Sequence, residues 1–333
     1  MNCSKQATLS MVLAACILSC QDPSGVAPAP GQPTPVRDVS SQLYIEVSML
    51  GGLDYFYDHK MGMEMAGKAL GVRTEYVGPA EYDMAAMVTA FEQAIAKRPA
   101  GLVVVGFEPS LNALVDKAVD RGIPVVTVDA DLPGSRRIAF VGTGNRQAGL
   151  AGGRKLAEML GTGQVAIMTK PGQSNLEERV QGYRDAFAEH PGIEIVQVVD
   201  TQSDPNVAAS AAAAMLQKFP DLAAIACVEA AGGSGAAMAV KEAGKAGLVK
   251  IIAMDRDNAV LEQIKRGVIS ATVVQQTALM PFYAVQILYN LNNHSLPITT
   301  DNRLARVSGV PAVVDTGVVL VDASNCEFFM RKQ

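Results

Sequence analysis

The sequence at residues 101–129 is GLVVVGFEPSLNALVDKAVDRGIPVVTVD. It contains two short runs rich in β-branched residues, Leu102–Val105 and Pro124–Val128, which are typical of buried strands. Between them, Leu111–Arg121 has apolar residues at the spacing of an amphipathic helix. Asp129 follows the second run directly. The segment therefore predicts a strand–helix–strand unit of a parallel sheet, with a carboxylate at the end of a strand.

The same alternation continues along the chain from Gln42 onward. Further helical segments are predicted at Met84–Lys97 and Ala208–Phe219. The other predicted strands are Leu43–Ser48, Arg73–Val77, Ile138–Val141, Gln164–Thr169, Ile193–Val199, Ala223–Val228, Lys250–Met254 and Ala271–Val274. This pattern indicates an α/β fold with helices on both faces of parallel sheets. Because so many strands exceed what one such sheet usually holds, we expect two lobes.

Polar residues follow the ends of several predicted strands, although the strands themselves are apolar. In open parallel sheets, ligands bind beyond the carboxyl ends of the strands. The polar residues at these positions are Ser48, Asp129, Asp131, Glu229, Asp255 and Gln275. An aspartate after a strand can instead cap the next helix, so each position has a purely structural alternative. Taken as a set, they predict a ligand site.

Six short motifs occur in a fixed order from about Leu43 to Val321. They are Asp54-Tyr55-Phe56 with Lys60-Met61-Gly62, Pro124-Val125-Val126-Thr127-Val128-Asp129, Arg179-Val180-Gln181-Gly182-Tyr183, Met254-Asp255, Ala271-Thr272-Val273-Val274-Gln275 and Asp315-Thr316-Gly317-Val318-Val319. In this order and spacing, the motifs resemble those of the ribose-binding-protein family of periplasmic sugar receptors. The resemblance implies a periplasmic binding protein fold of type 1, in which two Rossmann-like, doubly wound lobes are joined by a three-segment hinge. It places residues 41–143 and 276–310 in the first lobe, and residues 144–275 and 311–330 in the second.

The resemblance also implies a set of ligand-binding residues. They are Ser48, Asp54, Tyr55, Phe56, Asp129, Asp131, Asn175, Arg179, Glu229, Asp255 and Gln275. The chemistry is consistent with a sugar, because ionised aspartates only accept hydrogen bonds and the Arg179 guanidinium only donates them. Gln275 would lie at the hinge, and the rings of Tyr55 and Phe56 would stack on the C–H face of a sugar.

Two positions depart from the ribose-binding pattern. Ala130 stands where that pattern has an arginine after the ligand aspartate, and Glu229 stands where it has an asparagine. An excess of carboxylates in a desolvated site repels anions. We therefore expect neutral sugars, polyols or amino sugars rather than sugar phosphates or uronic acids. The alternative for Glu229 is that it caps the following helix.

The first forty residues have a different character from the rest of the chain. Lys5 precedes an apolar run at residues 7–19 that is too short to span a bilayer, which is typical of a secretory signal. Cys16 and Cys20 each end a sequence that resembles a bacterial lipobox, and a plain signal peptide is the alternative. Residues 21–40 are rich in proline and predict an extended tether. We thus expect a signal peptide at 1–20 and a lipid-anchored protein in the periplasm or at the cell surface.

Composition argues against several other classes of protein. The net charge of −5 and the absence of basic clusters make nucleic acid an unsuitable partner. Gly142-Thr143-Gly144 follows a strand, but the next glycine, Gly149, comes five residues later instead of the three that an NAD-binding loop requires. We expect no cofactor, no metal and no catalytic residue. Cys227 and Cys326 lack metal-ligand spacing, and whether they form a disulfide is left open.

The sequence therefore predicts a monomeric substrate-binding protein, not an enzyme. It would capture a monosaccharide or related polyol between two lobes and deliver it to an ABC permease in the membrane. The main alternative is a sugar receptor that reports to a membrane sensor kinase, and an NAD-dependent oxidoreductase is a weaker one.

Overall fold

The computed structural model describes residues 38–302 and 304–331. The predicted signal peptide, both candidate lipidation sites and nearly all of the predicted tether lie outside these residues. Within the described part of the chain, no helix is both long and apolar enough to cross a membrane.

Strands and helices alternate along the described chain. The strands are β1 (Leu43–Val47), β2 (Arg73–Val77), β3 (Gly101–Val105), β4 (Val125–Val128), β5 (Ala139–Gly142), β6 (Gly163–Thr169), β7 (Ile193–Asp200), β8 (Leu222–Cys227), β9 (Lys250–Met254), β10 (Ala271–Gln275), β11 (Val313–Asp315) and β12 (Val318–Asp322). The helices are α1 (Asp54–Leu70), α2 (Met84–Ala96), α3 (Asn112–Asp120), α4 (Asn145–Leu160), α5 (Ser174–Ala188), α6 (Pro205–Lys218), α7 (Ala230–Glu242), α8 (Asn258–Lys265) and α9 (Leu279–Asn293).

The strands form two six-stranded sheets. The first has the order β11-β5-β4-β3-β1-β2 and is parallel throughout. The second has the order β12-β10-β9-β8-β6-β7, and only its edge strand β12 runs antiparallel to its neighbour. We call the first sheet with α1, α2, α3 and α9 the first lobe, and the second sheet with α4 to α8 the second lobe. The predicted fold of two doubly wound α/β lobes is confirmed.

Each sheet is covered by an apolar core on both faces. In the first lobe, α1 and α9 pack on one face, and α2 and α3 pack on the other. In the second lobe, α4 and α5 cover one face and α6, α7 and α8 the other. All five residues of β3 are buried for this reason, which explains why its sequence has no polar alternation.

Three short crossings connect the lobes, at residues 143–144, 276–278 and 316–317. Hydrogen bonds hold them side by side. One oxygen of Asp315 accepts from the backbone N–H groups of Gly144 and Gly317, both at 2.8 Å. The Gln276 amide donates to the Thr316 carbonyl at 2.5 Å. The hinge therefore consists of three short segments that are hydrogen-bonded to each other.

The third crossing lies later in the chain than predicted. The prediction put all of residues 311–330 in the second lobe, but β11 pairs with β5 in the first sheet. Asp315, Thr316 and Gly317 separate two short apolar runs at 313–314 and 318–321, and Gly317 has φ +71°. Glycine adopts this left-handed conformation without steric cost, and the resulting turn sends β11 and β12 to different sheets.

Candidate functional site

A cleft of about 540 Å³ lies where the loops after the strands of both lobes face each other. Most of the predicted site residues line it. They are Asp54, Tyr55, Phe56, Asp129, Asn175, Arg179, Glu229, Asp255 and Gln275. The first four come from the first lobe and the others from the second, so the cleft is shared between the lobes.

Two aspartates lie at equivalent places on opposite walls of the cleft. Asp129 follows β4 and Asp255 follows β9, and both have positive φ, at +63° and +67°. The backbone N–H of each donates to the strand next to its own, to the carbonyl of Val141 at 3.2 Å and of Val273 at 2.8 Å. Left-handed backbone is unfavourable for a residue with a Cβ atom and concentrates at ligand sites. In both lobes the chain adopts it where a carboxylate borders the cleft.

Arg179 is buried in α5, with only 4% of the residue exposed. Its guanidinium donates to the Asn145 side-chain oxygen at 2.9 Å, the Val228 carbonyl at 3.0 Å and the Gln275 side-chain oxygen at 2.9 Å. These acceptors are all neutral. A guanidinium has five N–H groups, so these bonds leave donors for a ligand in the cleft.

A close contact between two helices places Arg179. A Cβ atom on Gly149 of α4 would lie 2.0 Å from the Arg179 carbonyl oxygen, and one on Gly182 of α5 would lie 2.2 Å from the Arg146 carbonyl oxygen. Only glycine allows this approach. The glycine in the Arg-x-x-Gly motif thus serves helix packing, and the packing brings the arginine to the cleft.

Gln275 connects Arg179 to Asp255. Its oxygen accepts from Arg179, and its amide nitrogen donates to the Asp255 carboxylate at 3.0 Å. Burial raises the pKa of Asp255 to about 6; Arg179 and Gln275 oppose this rise, whereas the charges of Asp257 and Asp129 add to it. The second-lobe wall therefore carries a buried donor–acceptor chain that ends in a carboxylate.

On the first-lobe wall, aromatic side chains surround the carboxylate of Asp129. The Tyr55 hydroxyl donates to Asp129 at 2.6 Å. Burial raises the pKa of Tyr55 well above its usual value, and the charges of Asp129 and Asp255 raise it further, so the hydroxyl stays protonated. The Phe56 ring meets Tyr55 edge-on at a centroid distance of 5.0 Å and packs into the core. The next aromatic residue, Tyr57, is 59% exposed and does not line the cleft.

Glu229 caps the following helix, as one of the two interpretations of the sequence expected, and it also borders the cleft. Its carboxylate accepts from the Ala231 backbone N–H at 3.0 Å, which caps α7, and from the Thr201 hydroxyl at 2.7 Å. The cleft lining contains five carboxylates, those of Asp54, Asp129, Glu229, Asp255 and Asp257, and the guanidinium of Arg179.

Two predicted site residues lie outside the cleft lining. Ser48 is buried, and its hydroxyl donates to the adjacent Met49 carbonyl at 3.1 Å. Asp131 accepts from Arg137 at 2.5 and 2.6 Å and from the Thr127 hydroxyl at 2.7 Å. Both side chains are bonded within the first lobe, so the structure does not bring them to the cleft with the other predicted residues.

Some residues of the site were missed by the sequence analysis. Asp257, Ser203 and Gln173 line the cleft, and Asn145 supports Arg179 from behind. Asp257 is two residues beyond Asp255 in the same strand-end loop, so extending the search by two positions would have found it. The contact of Asn145 depends on the α4–α5 packing and has no signal in the sequence.

The cysteines and other ionisable groups do not form a metal site in the described part of the chain. Cys227 and Cys326 are buried free thiols there, which resolves the pairing that the sequence left open. No group of three or more histidine, cysteine, aspartate or glutamate residues among residues 38–302 and 304–331 could hold a metal ion.

Comparisons with known proteins agree with this architecture. A model described as a periplasmic binding protein domain matches residues 47–294. The D-allose-binding periplasmic protein of Escherichia coli is 30% identical over 239 residues, which cover 67% of this chain and 76% of that protein. A sugar-binding protein of a sugar ABC transporter from Bacillus halodurans has a TM-score of 0.83 and 36% identity, covering 87% of this chain and 100% of that one. AraP, an arabinose-binding protein from Geobacillus stearothermophilus, has a TM-score of 0.81 and 35% identity, with the same coverage.

Proposed function

The chain belongs to the periplasmic binding protein domain family, and from this premise we propose that it is a sugar-binding protein of an ABC importer. It captures a monosaccharide or related polyol in the cleft between its lobes and delivers it to a membrane permease. One observation carries the proposal: the buried chain from Arg179 through Gln275 to Asp255 faces Asp129 across the cleft.

The chemistry of the cleft suits a polyhydroxylated ligand. Each sugar hydroxyl both donates and accepts a hydrogen bond, and it finds an acceptor in Asp129 or Asp255 and a donor in Arg179. Hydrogen bonds to charged partners contribute about 1.5–3 kcal/mol each. A ligand that contacts both aspartates joins the two lobes, so its binding favours the closed arrangement.

The charge of the cleft further restricts the ligand. Its carboxylates outnumber its single guanidinium, and a phosphate or carboxylate placed among them pays for like-charge contact. Neutral sugars, polyols and amino sugars are therefore the ligand class, and an ammonium group can pair with the carboxylates.

A titration of the purified protein with a panel of sugars tests this proposal. The panel contains D-allose, L-arabinose, D-ribose, D-glucosamine, D-glucuronic acid and ribose 5-phosphate, each added in a thermal-shift assay and followed by calorimetry. We expect a neutral or amino sugar to raise the melting temperature and the acidic compounds to have no effect. Tight binding of D-glucuronic acid or ribose 5-phosphate contradicts the charge argument, and no response to any sugar in a wider panel contradicts sugar binding itself.

Transport is tested separately from binding. In a strain that lacks this gene, uptake of the radiolabelled ligand should fall, and the gene should restore it. If uptake is unchanged but the transcriptional response to the sugar is lost, the protein is a receptor for a sensor kinase instead.

Lipid anchoring outside the cytoplasm is part of the same proposal. The apolar run at 7–19, the two cysteines that end lipobox-like sequences and the proline-rich segment after them support it. Metabolic labelling with an alkyne fatty acid should mark the wild-type protein and leave the Cys16→Ser/Cys20→Ser double variant unlabelled. Equal labelling of both excludes an anchor at these cysteines. We also propose that the mature protein is a monomer, which light scattering measures directly.

A further inference from the structure

Behind the cleft, a buried carboxylate in α1 connects the two lobes. Asp58 lies one helical turn after Asp54 and Tyr55, and only 3% of its side chain is exposed. It accepts from Nε of Arg256 at 3.2 Å and from Nη2 of Arg256 at 2.7 Å, from Arg331 at 3.0 Å and from the Thr277 hydroxyl at 2.9 Å. No residue of this cluster except Asp58 belongs to the first lobe.

The partners of Asp58 come from the loop after β9, from the segment after β12 and from the second crossing. Arg256 is the residue directly after Asp255, the carboxylate that ends the polar chain of the cleft. Arg331 follows β12 near the C-terminus, and its backbone is tied to Asn258 at the start of α8. Thr277 belongs to the second crossing. The cluster thus links the turn of α1 that carries Tyr55 to the loop that carries Asp255.

The position of α1 itself is fixed at the hinge. A Cβ atom on Gly62, one turn beyond Asp58, would lie 2.2 Å from the Ala278 carbonyl oxygen of the second crossing. The helix therefore packs directly on the crossing. Asp58 is held at a short distance from the hinge, and small rotations of the lobes change its contacts.

Charge balance makes the cluster dependent on Asp58. Burial alone would raise the pKa of Asp58, but the hydrogen bonds and charges of Arg256 and Arg331 bring it below its usual value, so the carboxylate is ionised at neutral pH. Two guanidiniums bond this carboxylate, and Arg331 also lies 3.6 Å from Asp54 of the same helix. A neutral residue in place of Asp58 leaves Arg256 without its carboxylate partner and next to a second, partly buried cation, which is unfavourable in this arrangement of the lobes. When the lobes separate, water solvates the cations and the penalty disappears.

We propose that Asp58 is a positioning residue for ligand binding, which holds the Tyr55 turn of the first lobe against the Asp255 loop of the second through Arg256 and Arg331. It contacts no ligand in the cleft. It stabilises the lobe arrangement in which Asp129 and Asp255 face each other, and its effect on affinity rests on the proposed function.

Small-angle scattering of the unliganded protein gives a test that needs no ligand. We expect Asp58→Asn to increase the radius of gyration, because the repelling guanidiniums favour open lobes. Arg331→Gln is the milder variant, since the ion pair between Arg256 and Asp58 remains, and it should shift the radius less. The matched control is Arg137→Gln, which breaks the ion pair with Asp131 inside the first lobe and should leave the radius unchanged.

Ligand kinetics give the second readout, with D-allose, L-arabinose and D-ribose as probes. The apparent affinity scales with the binding-competent fraction, so we expect Asp58→Asn to raise Kd by about tenfold, mainly through faster dissociation. A double-mutant cycle with Arg256→Gln should show that the two substitutions are not additive in Kd.

The outcomes distinguish this inference from the proposed function. A radius that stays at the wild-type value in Asp58→Asn and Arg331→Gln, with only the melting temperature lowered, makes the cluster a structural feature and overturns the proposal. If the wild-type protein binds none of the probes but the radius increases in Asp58→Asn, the positioning of the lobes stands and the ligand assignment fails.

Discussion

The loops after β4 and β9 hold equivalent positions in the two lobes, yet they contribute different chemistry to the cleft. Asp129 is half-buried and accepts from the Tyr55 hydroxyl. Asp255 is buried and belongs to the chain through Gln275 to Arg179. The same strand-end geometry thus supports an aromatic wall in one lobe and a buried polar network in the other. We infer that the second lobe sets the electrostatics of binding and the first lobe sets the shape.

Among the substitutions in the cleft, removing Arg179 should have the largest effect on sugar affinity. We expect Arg179→Met to weaken sugar binding by about 2–4 kcal/mol, because charged hydrogen bonds to the ligand are lost. Folding should be affected too: three acceptors lose their donor, so the melting temperature should also fall.

Calorimetry and thermal melts separate the two roles of Arg179. Arg184→Met, an exposed position on the same helix, is the control and should bind like the wild type. Arg179→Lys keeps the charge but lacks the fork of donors, so it should recover only part of the affinity. Intact affinity in Arg179→Met with a lower melting temperature would make Arg179 purely structural.

Asp255→Asn should stabilise the unliganded protein while it weakens binding. A folded-state pKa raised to about 6 means that the stability from this group is complete below its ordinary pKa and is lost as pH rises through about 6. At pH 7 the buried carboxylate is therefore unfavourable, and the neutral amide should raise the free energy of unfolding by about 2 kcal/mol. Asp129→Asn, at the equivalent but less buried position, should give no such gain. Urea unfolding at pH 7 measures the free energy of unfolding of both variants. Equal changes in the two would contradict the difference between the two walls of the cleft.

Sugar affinity should also depend on pH through Asp255. Only the ionised carboxylate offers all of its oxygens as acceptors, and protonation competes with ligand binding. Below the pKa of about 6 in the free protein, Kd should rise by up to about tenfold per pH unit, which is about 1.4 kcal/mol. Calorimetric titrations from pH 4.5 to 8 test this, and Asp255→Asn should flatten the profile. A flat wild-type profile would show that the ligand does not need the ionised form.

The sequence predicted the fold well because the signals for buried parallel strands are local. β3 and β4 are apolar runs of the right length, and Asp129 could be found because it directly follows a strand. The position after a strand does not determine where the side chain goes, however. The Ser48 hydroxyl donates to the carbonyl of the next residue, Met49, and Asp131 pairs with Arg137, six residues on. Neither contact can be inferred from strand ends alone.

Contacts between distant segments account for the rest of what the sequence did not predict. Asn145 reaches Arg179 only because two glycines let α4 and α5 approach. Asp58 meets Arg331 from 273 positions away. The residues around Gly317 separate two apolar runs, but which sheet each run joins is set by strand pairing. The contacts of Asn145 and Asp58 depend on how helices and lobes pack, and no local pattern encodes them.

Tyr55→Phe should produce the smallest effect and tests the first-lobe wall by itself. The ring and its contact with Phe56 remain, so the shape of the wall is kept. The hydroxyl that donates to Asp129 is lost, and we expect sugar binding to weaken by about 1 kcal/mol because that carboxylate is no longer oriented. Tyr57→Phe, a neighbouring and exposed tyrosine, is the matched control and should bind like the wild type. A loss of affinity as large as that of Arg179→Met would show that the first lobe contributes as much to the electrostatics of binding as the second. That result would contradict the difference inferred between the loops after β4 and β9.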